Sequence, residues 1–307
     1  MRFRLSIVLL HFLAMLPNSL ADGLARISSW FIWQSNGRMR LVTESNLAIC
    51  FPTMSNEERL KLALSSLYEA CLCILEATRA FLRPLERLDA QVDRVTGLEI
   101  WQDAVAHDTG IVLLVPHLGN WELAGMLLSK LCSPTVMYRP PKTETFDDFV
   151  RESRERRGSK LVPTNSSGVR ALMKTLKSNG VIIILPDQVP AKSLGEFAPF
   201  FGEETLTMTL ATNLIQRTGA KAICCYCKRQ SIGSYELVFR EVDEGIYDAD
   251  CATAIASLNK SVERCVMDCP EQYQWSYKRF KYLRNLEKRD YHAVQEHLSG
   301  PSAAARR

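Results

Sequence analysis

The sequence predicts an α/β fold, a mixed central sheet with helices on both faces, preceded by an N-terminal membrane-anchor helix. Three observations carry this. From residue 111 onward, apolar runs of strand length alternate with longer stretches of helical periodicity. Glycine, asparagine or proline punctuates most junctions between them. The chain also begins MRFRLSIVLLHFLAML, two arginines leading an apolar run broken only by Ser6 and His11.

That run is followed by Pro17, Asn18 and Ser19, a second apolar stretch, and the aromatic residues of 30–33. A charged start, a short apolar core and small residues behind it fit a cleavable signal peptide. The run is also shorter than the ~20 residues a perpendicular spanning helix needs. Taken as one unit broken near Pro17, residues 5–33 read instead as an uncleaved anchor with interfacial tryptophans. The anchor is preferred because the chain beyond residue 33 looks cytosolic. Charge does not orient it, since Arg2 and Arg4 face Arg26, Arg38 and Arg40 across the segment. Residues 1–33 are assigned to this segment, 34–290 to one globular domain, and 291–307 to a polar, alanine-rich disordered tail.

Within the domain, Leu60, Leu64, Leu67, Cys71, Ile74 and Leu75 recur at helical spacing and predict a helix over 56–82. Ser55 with Glu58 makes a capping box at its start, and Pro84 a stop. Buried strands are predicted at 111–115, 135–138, 181–185 and 222–228, and an amphipathic one at 235–241. Helices are predicted at 121–131 with Asn120 as cap, at 146–157 stopped by Gly158, at 167–178, at 207–218 ended by Gly219, and at 250–269. Strands alternating with helices at this spacing argue for a layered sheet.

With 47% of its 307 residues hydrophobic and 23% charged, the chain has enough apolar material for one large core and too little bias for disorder. The net charge of +4 is concentrated in 151–160, 277–289 and the final two arginines, a pattern that favours anionic partners. A pI near 8.5 falls short of a nucleic-acid binder's basic footprint, and no finger or RNA-recognition signature occurs, so nucleic acid is set aside. Ten cysteines lie largely in apolar runs such as AICCYC, where reduced core thiols are expected. Cys225-x-Cys227 and Cys265-x3-Cys269 lack a matching second ligand pair for a metal.

The segment VPHLGNWELAG puts His117 just past a buried strand and Glu122 in the first turn of the next helix. Strand ends are where ligands gather in α/β sheets, and an imidazole there suits proton abstraction near neutral pH. Glu122 is expected to reach the ring if the turn folds back, fixing its tautomer and stabilising the imidazolium. The free amides of the helix N-terminus suit an oxyanion or a phosphate. As a bare spacing the pair is weak: five histidines and 34 acidic residues produce it by chance in many chains. A histidine near a strand end is more often structural.

Context adds to it. The chain carries, in order, PHLGNWE (116–122), YRPPK (138–142), RESRERRG (151–158), LPDQVP (185–190), APFFGEE with TMT (198–209) and WSYKRFK (275–281). The series resembles the lauroyl/myristoyl late acyltransferases of lipid A biosynthesis in Gram-negative bacteria, within the wider glycerophosphate acyltransferase superfamily. The likeness runs from about Arg38 to Lys281. It implies that His117 and Glu122 are the catalytic pair, and that Arg139 clamps acceptor phosphate. It also implies substrate-binding roles for Arg154, Asp187 and Gln188, with Arg279 meeting the anionic acceptor or the carrier protein. Arg151, Arg156 and Arg157 are read as a solvated helix face, while a turn aspartate beside Pro186 is an even alternative for Asp187.

The resemblance further implies an acyl thioester on acyl carrier protein as donor and a hydroxyl of a phosphorylated, Kdo-bearing lipid A precursor as acceptor. Direct transfer on the cytoplasmic face of the inner membrane is then expected, with no metal or redox cofactor implied. Three alternatives stand beside it: a relative using another glycolipid or lysophospholipid, a membrane-tethered lipid-binding relative without catalysis, and a secreted, disulfide-bonded protein.

Overall fold

The computed structural model describes residues 2–140 and 144–294, with side chains described over 8–140 and 147–294. The first half holds helices α1 (Arg2–Met15), α2 (Asn18–Gln34), α3 (Arg38–Cys50), α4 (Asn56–Leu82) and α5 (Leu85–Asp89), strand β1 (Val92–Thr96), α6 (Leu98–Ala106), β2 (Ile111–Leu114), α7 (Trp121–Cys132) and β3 (Thr135–Tyr138). The second half holds α8 (Glu144–Glu155), β4 (Lys160–Pro163), α9 (Ser166–Lys177), β5 (Val181–Ile184), β6 (Gly195–Phe200), β7 (Glu203–Met208), α10 (Leu210–Thr218), β8 (Lys221–Ser231), β9 (Ser234–Glu241) and α11 (Cys251–Val266).

Seven strands form one sheet in the order β1-β9-β8-β2-β5-β3-β4. Every neighbouring pair is parallel except β8 with β9, so the sheet is mixed, as expected. At its centre β2 pairs with β5, Ile111 opposite Val181 through Leu114 opposite Ile184, and all eight residues are buried. Side chains alternate along a strand. Val112 and Leu114 therefore join a core with α9, α10 and α11, whereas Ile111, Leu113 and Val115 join a second with α6 and α7. Helices cover both faces.

Helix α4 spans the predicted residues, and Ser55 and Glu58 form the reciprocal cap: each side chain accepts the other's backbone N–H. The helix expected over 207–218 starts only at Leu210, because Thr207 and Met208 finish β7. Strands β6 and β7 make a separate antiparallel hairpin. It turns at Phe201 and Gly202, whose φ values of 51° and 79° are the positive pair that a tight I′ hairpin needs.

The N-terminal segment is two helices where one was expected. Pro17 lacks the N–H that would continue α1, and the described part of α1 bends 114° from α2. Among the described residues no single helix is long and apolar enough to cross a membrane, while this bent pair meets that test together. Arg79 of α4 and Arg83 just past its end hold the break, donating to the Leu16 and Ala14 carbonyls at 2.9 Å each. Ala21 and Ala25 pack on Cys71, Leu72 and Leu75, and the outer side leaves Phe12, Met15, Ile27, Trp30 and Phe31 exposed.

The C-terminal boundary also moves. Tyr291, expected in the tail, is buried with Leu41 and Val42. Residues 295–307 lie outside the described residues, as do Pro141 and Lys142 of the YRPPK block. All ten cysteines are free thiols, eight of them buried.

Candidate active site

Strands β2 and β5 are adjacent and parallel, so their C-terminal ends bring His117 and Asp187 side by side across 70 residues of sequence. Asp187 Oδ1 lies 2.8 Å from His117 Nδ1, and Oδ2 accepts the His117 backbone N–H at 2.9 Å. A carboxylate on Nδ1 requires the proton there, which leaves the Nε2 lone pair free to accept. The Gln188 amide meets it at 3.0 Å and also approaches Gln274 Oε1 at 3.5 Å. Trp121 stands edge-on to the ring, 5.2 Å between centroids.

Asp187 is 3% exposed. Burial pushes its carboxyl up, but the charge and hydrogen bonds of His117 outweigh this and hold it below the usual carboxylate range. It stays ionised at neutral pH.

The loop after His117 is pressed onto β8. Gly119 has φ of +61°, and a Cβ there would stand 2.0 Å from the Cys227 carbonyl oxygen, so only glycine fits. Asn120 donates its backbone N–H to that carbonyl at 2.8 Å, and Gln274 donates to the His117 carbonyl at 3.1 Å. The segment around WSYKRFK thus clamps the loop that carries His117. Asn120 then caps α7, its side chain accepting from the Leu123 N–H at 3.0 Å. The amides of Trp121 and Glu122 lie in this first turn, where helical acceptors run out.

Glu122 does not steady the imidazole. Its carboxylate grips Arg154 with both oxygens, Nε to Oε2 at 3.0 Å and a second, shorter arm to Oε1. The first turn of α7 aims Glu122 along the helix toward α8, while Asp187 holds the ring. Asp187, read from the sequence as substrate-binding, is therefore the imidazole's partner. Arg154 also lies 5.3 Å over the Tyr138 ring.

The neighbouring arginines correct another expectation. Arg156 donates to the Ala80 and Arg83 carbonyls at 2.6 and 2.8 Å, and Arg157 to the Leu85 carbonyl and Asp89 at 2.7 Å each. They tie α8 to α4 and α5 and are not a solvated face; Arg151 remains half-buried. Arg279 is corrected likewise. It is 2% exposed, donating to Thr205, Leu206, Thr207 and Asn259, so it braces the β6–β7 hairpin away from any acceptor. Arg139 is exposed on the rim of the cleft.

The cleft holds about 440 Å³. His117, Gln188, Glu122 and Arg154 line its polar part. From there it runs between α7 and the sheet, walled by Met126, Val136, Leu161 and Ile183, with Ser129 and Ser159 sharing a short hydrogen bond in the same lining. Sequence reasoning missed this lining, since buried Val, Leu and Ile carry no mark separating a cavity wall from a core. Among the described residues, no group of three or more His, Cys, Asp or Glu is placed to hold a metal ion. A histidine with a free ring nitrogen beside an apolar slot could serve a reaction at the head of a hydrocarbon chain.

A family model described as bacterial lipid A biosynthesis acyltransferase matches residues 2–282. The lipid A biosynthesis palmitoleoyltransferase of Escherichia coli (strain K12) is 28% identical over 247 residues, 80% of this chain and 79% of that protein. The lauroyltransferase of the same strain is 28% identical over 246 residues, with the same coverage. Its myristoyltransferase is 25% identical over 238 residues, 77% of this chain and 73% of that protein.

Proposed function

Given that the chain belongs to the bacterial lipid A biosynthesis acyltransferase family and is an acyltransferase, we propose that it moves an acyl group from acyl carrier protein to a hydroxyl of a Kdo-bearing lipid A precursor, with His117 as general base. The observation that carries this is the His117 ring, held by Asp187 through Nδ1, with Nε2 beside an apolar slot.

In this scheme the acceptor hydroxyl displaces the Gln188 amide from Nε2 and gives its proton to that nitrogen. The oxygen attacks the thioester carbonyl carbon. Asp187 stabilises the imidazolium that forms. Arg154, fixed by Glu122, and the first-turn amides of α7 supply positive potential for the tetrahedral oxyanion. Collapse breaks the C–S bond, and the imidazolium returns its proton to the departing thiolate. The acyl chain lies in the slot. No acyl-enzyme is required.

The same reading sets α1 and α2 in the cytoplasmic interface of the inner membrane. Support comes from the exposed Phe12, Met15, Ile27, Trp30 and Phe31 along one side of the bent pair. Exposed Arg139 is then available to acceptor phosphate.

Mass spectrometry of lipid A from cells with and without the protein tests the proposal. One acyl chain is expected to be missing without it, and an unchanged spectrum would sink it. A second measurement separates the arginines. Arg154→Ala is expected to lower kcat/KM by roughly 100-fold, the scale of losing one preorganised transition-state donor. Arg156→Ala is expected instead to lower the melting temperature, with much less effect on turnover. Equal losses of turnover would remove Arg154 from the reacting centre.

A further inference from the structure

We propose that Gly125 sets the length of the acyl chain this enzyme accepts, an inference that rests on the reading of the cleft as the acyl slot. Helix α7 presents Glu122, Gly125, Met126 and Ser129 to the cleft. They are spaced i, i+3, i+4 and i+7, one face of a helix. At 1.5 Å per residue, Gly125 lies about 4.5 Å and Ser129 about 10 Å along the axis from Glu122. This face runs lengthwise beside the chain's path.

Nothing structural calls for a glycine at this position. Its backbone is ordinary helix and is not among the positive-φ residues. A Cβ added to Gly125 meets no atom within 4 Å. Contrast Gly110 and Gly168, where a Cβ would press on backbone atoms at 2.5 and 1.8 Å. Glycine inside a helix is also less stable than alanine. Gly125 therefore leaves empty the space that its side chain would fill, and that space is the slot.

The facing wall offers little adjustment, because Val136, Leu161 and Ile183 stand on β3, β4 and β5 of the sheet. The hydroxyls of Ser129 and Ser159 bond each other, and Ser129 also donates to the Gly125 carbonyl at 2.5 Å. They ask nothing of a hydrocarbon. The α7 face is thus where side-chain size reads chain length, with Gly125 holding the passage open beyond the first turn.

The test is transfer by the purified full-length protein from acyl carrier protein loaded with saturated chains of eight to sixteen carbons, onto a Kdo-bearing lipid A precursor. Gly125→Ala is expected to raise the melting temperature and move the preferred donor to a shorter chain. Gly125→Leu is expected to lower transfer of the wild-type optimum at least roughly tenfold, the scale of a methylene's misfit in an apolar pocket, while transfer of the shortest chains persists. Should Gly125→Leu not fold, Gly125→Ala alone carries the comparison. An unchanged length profile, or a uniform loss at every length, overturns the assignment and leaves the functional reading intact. No transfer by the unaltered protein from any donor defeats that reading, and this inference with it.

Discussion

Replacing His117 with alanine is expected to lower kcat/KM for acyl transfer by about 1,000- to 10,000-fold, the upper part of the range for general-base help. The melting temperature should fall as well, because the buried Asp187 carboxylate loses its Nδ1 partner and keeps the His117 backbone N–H. Normal turnover by a well-folded variant would refute the base assignment. Two companions separate the carboxylates. Asp187→Asn removes the charge that fixes the Nδ1–H tautomer, so rate and tautomer should change together. Glu122→Gln should cost rate through Arg154 while leaving the tautomer as it was. Nitrogen NMR of the imidazole reads the difference, and the opposite pattern would return Glu122 to the role of ring partner.

The largest effect on stability is expected from Arg229→Met. Arg229, on β8, is 6% exposed. It donates through Nε to Glu76 at 2.8 Å and through its other arms to Glu76 and Glu69. Glu76 is 1% exposed. Removing the guanidinium strands that carboxylate in the interior, where breaking a buried pair costs about 3–5 kcal/mol. A fall in melting temperature of roughly 10 °C is expected for a chain of this size. Glu76 also accepts weakly from Asn120 Nδ2 at 3.4 Å, and Asn120 caps α7 beside the active site. Turnover should therefore fall as well. Neutralising Glu76 as well, with Arg229→Met and Glu76→Gln, should recover part of the loss, since only the less buried Glu69 carboxylate then lacks its partner. A single variant melting within a degree of wild type would show that this cluster does not brace the fold.

Local physics made much of the architecture legible. The central strands are runs of Ile, Val and Leu, and only burial on both faces accommodates such runs. Helix α4 announces itself through Ser55, Glu58 and its apolar period. Strand β1 was not legible, because VDRVT is a largely exposed edge with no apolar alternation. The β6–β7 hairpin was also missed: Pro199 interrupts its pattern, and its turn uses Phe201 at positive φ in place of the usual Asn or Gly.

The candidate site divides along the same line. His117 stood out as an imidazole at a strand end, and Glu122 was paired with it because five residues separate them. Spacing is a poor guide there, since the helix that begins at Trp121 turns Glu122 toward Arg154. Asp187 belongs to His117 through the register of two parallel strands, which no local pattern expresses. Arg279 looked like a surface cation because basic residues usually are; four acceptors keep it inside.

By itself the sequence determined the α/β class, most strand and helix positions, the family and the histidine. These depend on periodicity, caps and ordered motifs, each contained within a few neighbouring residues. Only the tertiary structure decided which carboxylate holds the histidine ring, which arginines face the cleft, and which apolar residues wall it. Those depend on which strand ends meet and which helix face borders an opening, and chain packing alone brings such distant residues together.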